Sequence, residues 1–278
     1  MRSAQPGTGP HIAGPNSRGK PGQASAVPRV AAGTLAALMA TVTGCTLPPA
    51  AEAEDYPSAA RAFGWTERIG GHEFNDPVDF GTTSRDGDGE WYVWEGPGYQ
   101  GRGRITRDNV DVRDGRLILT GKPDGSTGTA AYYGATQKHG RWEARVRIPS
   151  GDSGYTAVAL LWPHSQRWPD DGEVNYLEAY GSGATNTVTV HDASGGEHVF
   201  VHSDGVRVDM RDWHTYAVEW TPDHITAYLD GAPVWTMDDH AMLPPGPMWH
   251  SFQVDSQGVG EAKVPTVMEV DWLRVYRL

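Results

Sequence analysis

Between Trp168 and Glu178 the chain reads Trp-Pro-Asp-Asp-Gly-Glu-Val-Asn-Tyr-Leu-Glu, and this run constrains the fold more than any other. It opens on a Trp-Pro turn and continues as an apolar, strand-like stretch carrying Glu173, Asn175 and Glu178. On a helix, residues five apart diverge by about 140°. On a regular strand an odd offset sends them to opposite faces, whereas Glu173 and Asn175 share one. Only a strand with one extra residue, a β-bulge near Tyr176-Leu177, turns both glutamates to the same side. Five strand residues span roughly 16 Å, so the two side chains must also lean together over a curved sheet. The plainer alternative is a solvated strand face with scattered acids.

The rest of the chain is built from similar short pieces. Gly140 to Ile148 and His214 to Trp220 alternate apolar with charged or polar residues. Thr156 to Trp162 is a buried-type run, and Asn186 to His191 alternates polar residues with Val. His224–Leu229 and Ala232–Met237 flank Asp230-Gly231, a hairpin signal. Glu269 to Tyr276 supplies a last strand. No long segment beyond the N-terminal region has helical periodicity. Many short strands in one domain predict an all-β sandwich of two antiparallel sheets.

The N-terminal region differs in kind. Residues 1–44 hold no acid and four bases, Arg2, Arg18, Lys20 and Arg29, followed by the small and apolar run Val30 to Gly44. This is the pattern of a signal peptide, too short for a confident membrane span. Its end, Val42-Thr43-Gly44-Cys45, resembles a lipobox, and Cys45 is the only cysteine of the 278 residues. The expected organisation is a lipoprotein signal at 1–44, a Pro/Ala/Glu-rich tether at 45–62 and one domain at 63–278. The alternative is an ordinary secretory signal cut after Ala51 or Ala53. A lipid on Cys45 would make the membrane a partner. The single cysteine rules out a disulfide framework.

The formal net charge is −12, and all of the acids lie beyond residue 44. That balance argues against nucleic acid as a partner and fits a neutral polysaccharide. All eleven tryptophans also lie beyond residue 44, and such flat apolar rings suit sugar faces. Two carboxylates on one face, with aromatic walls, are what glycosidic bond cleavage uses: one attacks or activates, the other protonates the leaving oxygen.

The blocks just described resemble glycoside hydrolase family 16, whose signature is Glu-x-Asp-x-x-Glu or the same with one residue fewer. Glu173 to Glu178 follows the longer form, as in the laminarinase-like β-glucanase branch, with Asn175 at the middle Asp. Tyr133 with Gly140–Pro149, Asp212–Pro222 and Val270–Tyr276 resemble further family blocks, in the family order. The resemblance covers about residues 63–278. It implies a concanavalin A-like β-jelly-roll and a retaining endo-glycosidase acting on a β-linked polysaccharide, β-1,3-glucan foremost. The leader, for its part, points to a chain outside the cytoplasm, lipid-anchored to the bacterial cell membrane or secreted, and a monomer is expected. The family also takes mixed-linkage glucans, agars, carrageenans and other galactans. By matching positions, Glu173 is the nucleophile, Glu178 the acid/base, and Asn175 an amide donor to Glu173. Trp162, Trp168, His191, Trp249 and Gln253 are the candidate substrate contacts. Trp249, Ser251 and Gln253 share one face of the strand Met248–Val254. Trp142, Trp220 and Trp272 are assigned to structure. Catalysis needs no cofactor, and the resemblance leaves open a structural calcium near Glu73 and Asp271, at an altered form of the family's calcium position. Two other functions compete: an envelope-glycan transglycosylase, and a carbohydrate-binding lipoprotein with a degenerate site.

Other strings fail on context. Gly96-Pro97-Gly98-Tyr99-Gln100-Gly101 matches a phosphate-loop pattern but carries Pro and opens no helix, so it reads as a loop at the cleft edge. Asp86 to Glu90 starts like a calcium loop but lacks the glycine at its sixth place, and reads as a solvated turn. His72-Glu73-Phe74-Asn75-Asp76 lacks the second His of the zinc motif. His198 and His202 are four apart in strand-like sequence and need not be metal ligands.

Overall fold

The computed structural model describes residues 56–81, 90–181, 185–258 and 262–278. The leader, Cys45 and most of the turn at 86–90 fall outside the described residues. In chain order the longer strands are β1 (Arg68–His72), β2 (Val110–Arg113), β3 (Arg116–Gly121), β4 (Thr129–Gln137), β5 (Gly140–Ser150), β6 (Tyr155–Pro163) and β7 (Glu173–Tyr180). They continue as β8 (Thr185–Asp192), β9 (Val199–His202), β10 (His214–Trp220), β11 (Ile225–Leu229), β12 (Ala232–Met237), β13 (Met248–Ser256) and β14 (Thr266–Tyr276).

These strands form the two expected layers. The back sheet runs β12-β11-β10-β5-β14-β3-β2, with β1 on the far part of β14, and its pairs are antiparallel. The site sheet runs β9-β8-β7-β6-β13-β4 and ends in two short pieces, Trp91–Tyr92 and Phe80–Gly81, which pair in parallel. Strand alternation fills the space between the layers. Trp142, Val146 and Leu273 enter from the back sheet, and Leu161, Tyr176 and Phe252 enter from the site sheet. The hairpin between β11 and β12 turns at Asp230-Gly231, where both residues have positive φ, as the sequence predicts.

The outer face of the back sheet carries the opposite phase of the same alternation. On β5, Trp142, Ala144, Val146 and Ile148 are fully buried, while Arg141, Arg145 and Arg147 point outward to Glu219, Asp271 and Glu269 at 2.7–2.8 Å. Glu143, on that outer phase, is buried beneath the N-terminal segment. It accepts from Ser58 Oγ (3.0 Å) and from the backbone N–H of Ala59 (2.6 Å). Ser58 caps the short helix α1 (Ala59–Phe63), and Tyr56 stacks on Trp272 at 5.6 Å. The packed domain therefore begins by Tyr56, earlier than the Phe63 boundary expected from composition. Residues 56–62 are not tether. Trp142 and Trp220 are core residues as assigned, and Trp272 is structural too, buried under Tyr56 on the outer face.

As arranged here, the carboxylates of Glu73 and Asp271 do not fit a calcium shell. Arg274 and Arg68 bond Glu73 at 2.8 and 2.6 Å, and Arg145 bonds Asp271 at 2.7 Å. No cluster of three or more acidic, His or Cys ligands occurs among the described residues. Two carboxylates already neutralised by guanidinium groups lack the oxygen-rich, uncompensated shell that calcium needs.

Candidate active site

The β-bulge sits at Tyr176. On one side Asn175 pairs with Leu160 and Leu177 with Ala159; on the other, Asn175 pairs with Thr189 and Glu178 with Thr187. Tyr176 and Leu177 both turn into the core. Two consecutive inward side chains reset the parity, so Glu173, Asn175 and Glu178 share the outer face. The Tyr176 hydroxyl is anchored inside against His250 Nε2 at 2.6 Å. Asn186 satisfies the backbone that the bulge frees: its Oδ1 accepts from the Glu178 N–H (3.0 Å) and its Nδ2 donates to the Tyr176 carbonyl (3.3 Å). Thr189 Oγ1 donates to Glu178 Oε2 at 2.6 Å and fixes that carboxylate.

Glu173 is the deeper of the two glutamates. Burial pushes its pKa up to about 8. The Asn175 side chain and the Trp168 indole pull it down, and the charges of Asp255 and Glu178 push it up. The indole N–H lies near the carboxylate without completing a hydrogen bond. A dry carboxyl with this balance holds its proton longer than a surface acid does.

Aromatic rings wall this end of the cleft. Trp162 and Trp168 stack nearly parallel, 6.1 Å apart, and Trp249 lies 6.5 Å from Trp162. Tyr133 packs on Trp249 at 4.6 Å. His191 pairs directly with Glu173 across β7 and β8. Burial lowers its pKa to about 4, so it is a neutral hydrogen-bonding ring at pH 7. Its Nδ1 meets His198 Nε2 at 3.1 Å, and the Trp168 ring centre lies 5.3 Å from that of His198. The structure thus gathers Trp162, Trp168, His191 and Trp249 around Glu173. Gln253 lies in the row of Glu178, because Val158 pairs with both. Its Nε2 donates to Ser251 Oγ at 3.4 Å.

Some of the site was not read from sequence. Strand β13 extends to Ser256 rather than Val254, so Asp255 continues the face of Trp249, Ser251 and Gln253. Burial and the charge of Glu178 push Asp255 up to about 7. Carrying the two-residue period one step further along that strand would have found it. Asn186 gave no local signal, since its role depends on a bulge on another strand. Tyr99, from the 96–101 loop, lies near enough to Glu173 and Asp255 for their charges to contribute to its raised pKa, after burial. The loop therefore does border the cleft.

Comparison with known proteins agrees with this geometry. A β-glucanase of Rhodothermus marinus is 29% identical over 212 residues, 64% of this chain and 73% of that protein. Glucan endo-1,3-beta-glucosidase A1 of Niallia circulans is 24% identical over 256 residues, 77% of this chain but 35% of that longer protein. The crystallographic laminarinase of Rhodothermus marinus superposes with a TM-score of 0.61 at 24% identity, covering 77% of this chain and 97% of that one. The back-to-back sheets are thus those of a laminarinase jelly roll. The model of the glycosyl hydrolases family 16 matches residues 101–274, the span that contains both glutamates, the bulge and the aromatic wall, and the chain belongs to that family.

Proposed function

We propose that the chain is a retaining endo-glucanase that cleaves internal β-1,3 bonds of a glucan. One observation carries this reading: the bulge at Tyr176 turns Glu173 and Glu178 onto one face, beside a wall of three tryptophans. Glu173 attacks the anomeric carbon as Glu178 gives its proton to the departing oxygen. Glu178 then takes a proton from water, which releases the sugar from Glu173. Thr189 holds Glu178 in place through both steps. Glu173 must shed its proton before attack, and its pKa of about 8 places the acid limb of kcat/KM above the usual carboxylate range. The names of the Niallia relative and of the Rhodothermus structure support the β-1,3 linkage.

The same reading places the enzyme outside the cytoplasm, held by a lipid on Cys45. A Cys45→Ser variant should then move from the membrane fraction to the soluble one.

Release of new reducing ends from laminarin and barley mixed-linkage glucan, by the parent and by Glu173→Gln, tests the main reading. Release by the parent alone, strongest on laminarin, supports it. Binding without release by the parent would favour the non-catalytic alternative, and longer products in place of reducing ends would favour the transglycosylase.

A further inference from the structure

The aromatic wall does not stop at the two glutamates. The register of the site sheet sets one continuous row across it. Phe200 on β9 pairs with His191 on β8, which pairs with Glu173 on β7. Leu161 pairs with Val174, so the next residue, Trp162 on β6, faces Glu173, and Trp162 pairs with Trp249 on β13. The row therefore reads Phe200, His191, Glu173, Trp162, Trp249, with the attacking carboxylate in the middle. Trp162 and Trp249 lie on one side of it and Phe200 on the other. With strands about 4.8 Å apart, Phe200 and Trp249 each start roughly 10 Å from Glu173 at the backbone. One strand spacing is close to the length of a glucose unit, so each lies about two sugars from the reacting bond.

Strand β9 divides by phase. Val201 pairs with Val190 and packs against the core, whereas Phe200 and His202 rise on the outer face. Phe200 is 56% exposed. A lone exposed phenylalanine is ordinary on a protein surface. This one is held among rings: His191 at 5.7 Å, His198 at 6.4 Å and His202 stacked on it at 6.0 Å. His198 stacks in turn on His191 and meets Trp168, each at 5.3 Å, so the cluster is continuous with the tryptophans beside Glu173. His202 Nδ1 donates to the Ser203 carbonyl at 2.9 Å, so Nε2 is the ring atom that can meet a hydroxyl. A flat apolar face flanked by hydrogen-bonding nitrogens suits a sugar, which has C–H groups on its faces and hydroxyls at its rim.

We propose that Phe200, flanked by His198 and His202, forms a further sugar-binding subsite for the glucan, on the opposite side of the cleaved bond from Trp162 and Trp249. The inference deepens the endo-glucanase reading and rests on it. An internal bond is cut only when chain lies on both sides of the attacking group. The tryptophans hold one arm of that chain, and the β9 edge holds the other.

The test is cleavage of laminarihexaose, labelled at its reducing end, by the full chain. Losing one ring face should lower kcat/KM about fivefold or more in Phe200→Ala and move the main cleavage point toward one end of the hexaose. Trp162→Ala should move it toward the other end. Phe200→Tyr keeps the ring and should keep the parent pattern. An unmoved pattern and rate in Phe200→Ala would overturn the proposal, as would a shift of both alanine variants toward the same end. A parent pattern in Phe200→Ala together with loss of a concentration-dependent dimer in sedimentation would reassign the ring to a contact between copies of the chain. Calorimetric binding of laminarihexaose separates this failure from that of the endo-glucanase reading. Glu173→Gln should bind the hexaose about fivefold or more tightly than the same variant carrying Phe200→Ala. That difference, with no cleavage by the parent, would sink the endo-glucanase reading and leave the subsite standing. Equal binding sinks the subsite whether or not the parent cleaves.

Discussion

The two outer faces of the sandwich treat most of their acids in opposite ways. On the back sheet Glu219 meets Arg141, Asp271 meets Arg145, Glu269 meets Arg147 and Arg116, and Glu73 meets Arg274 and Arg68. On the site sheet Glu173, Glu178 and Asp255 meet no cation among the described residues. Guanidinium groups also lie over the Trp213 and Trp272 rings at 4.0–5.0 Å, so the back face is a continuous charged and aromatic lattice. Paired acids keep a fold in register at little net cost, whereas unpaired, dry acids cost stability and persist where chemistry needs them. Glu143 is the exception on the back sheet: it is buried without an ion pair, and Ser58 with the N–H groups of the N-terminal segment satisfies it instead.

Exchanging carboxylates for amides on each face should break the symmetry most strongly. Glu173→Gln is expected to lower laminarin hydrolysis on the order of 10⁴-fold while the protein stays folded. Glu269→Gln should leave kcat unchanged and cost about 1–2 kcal/mol, because Arg147 and Arg116 lose the charge of a partly buried partner. Denaturant midpoints and initial rates on both variants check this. A large activity loss in Glu269→Gln with stability intact would erase the distinction between the faces.

A smaller effect should come from the support beneath the site. Asn186→Ala removes both bonds that brace the bulge and leaves the Glu178 N–H and the Tyr176 carbonyl unpaired in a buried place. It should cost about 2–4 kcal/mol and roughly 10²-fold in kcat, since Glu178 then loses its fixed position. Equal kcat in a destabilised variant would show that the bulge keeps its shape without the amide.

Much of this division was legible in the chain. The odd spacing of Glu173 and Glu178 already demanded a bulge near Tyr176, because no regular element puts them on one face. Asp-Gly at 230–231 marked its hairpin, and Trp142, Trp220 and Trp272 were legible as structural residues. What escaped depended on partners distant in sequence. Asn186 matters only because Tyr176 bulges. Residues 56–62 look like a tether by composition, yet Glu143, more than eighty residues away, pins them to the back sheet. Nor does any local pattern show the arginines that engage Glu73 and Asp271.

The subtlest difference between the faces should appear in the pH dependence of stability. Burial raises Glu173 from 4.5 to about 8 in the folded protein. Between those values the native state holds a proton that the unfolded chain has released. The stability this contributes is full below about pH 4.5 and is lost as pH rises through about 8. Glu73 behaves oppositely: burial pushes it up, but the hydrogen bonds and charges of Arg274 and Arg68 prevail and lower it below 4.5. Its contribution is present above the unfolded value and is lost as pH falls through the folded one. Each single group changes the slope by at most about 1.4 kcal/mol per pH unit. Denaturation midpoints from pH 3 to 9 should therefore flatten between about pH 4.5 and 8 in Glu173→Gln and below about pH 4.5 in Glu73→Gln. If Glu173→Gln left the slope between about pH 4.5 and 8 unchanged, Glu173 would be titrating as an ordinary acid, and the site face would not be storing charge strain as its unpaired carboxylates imply.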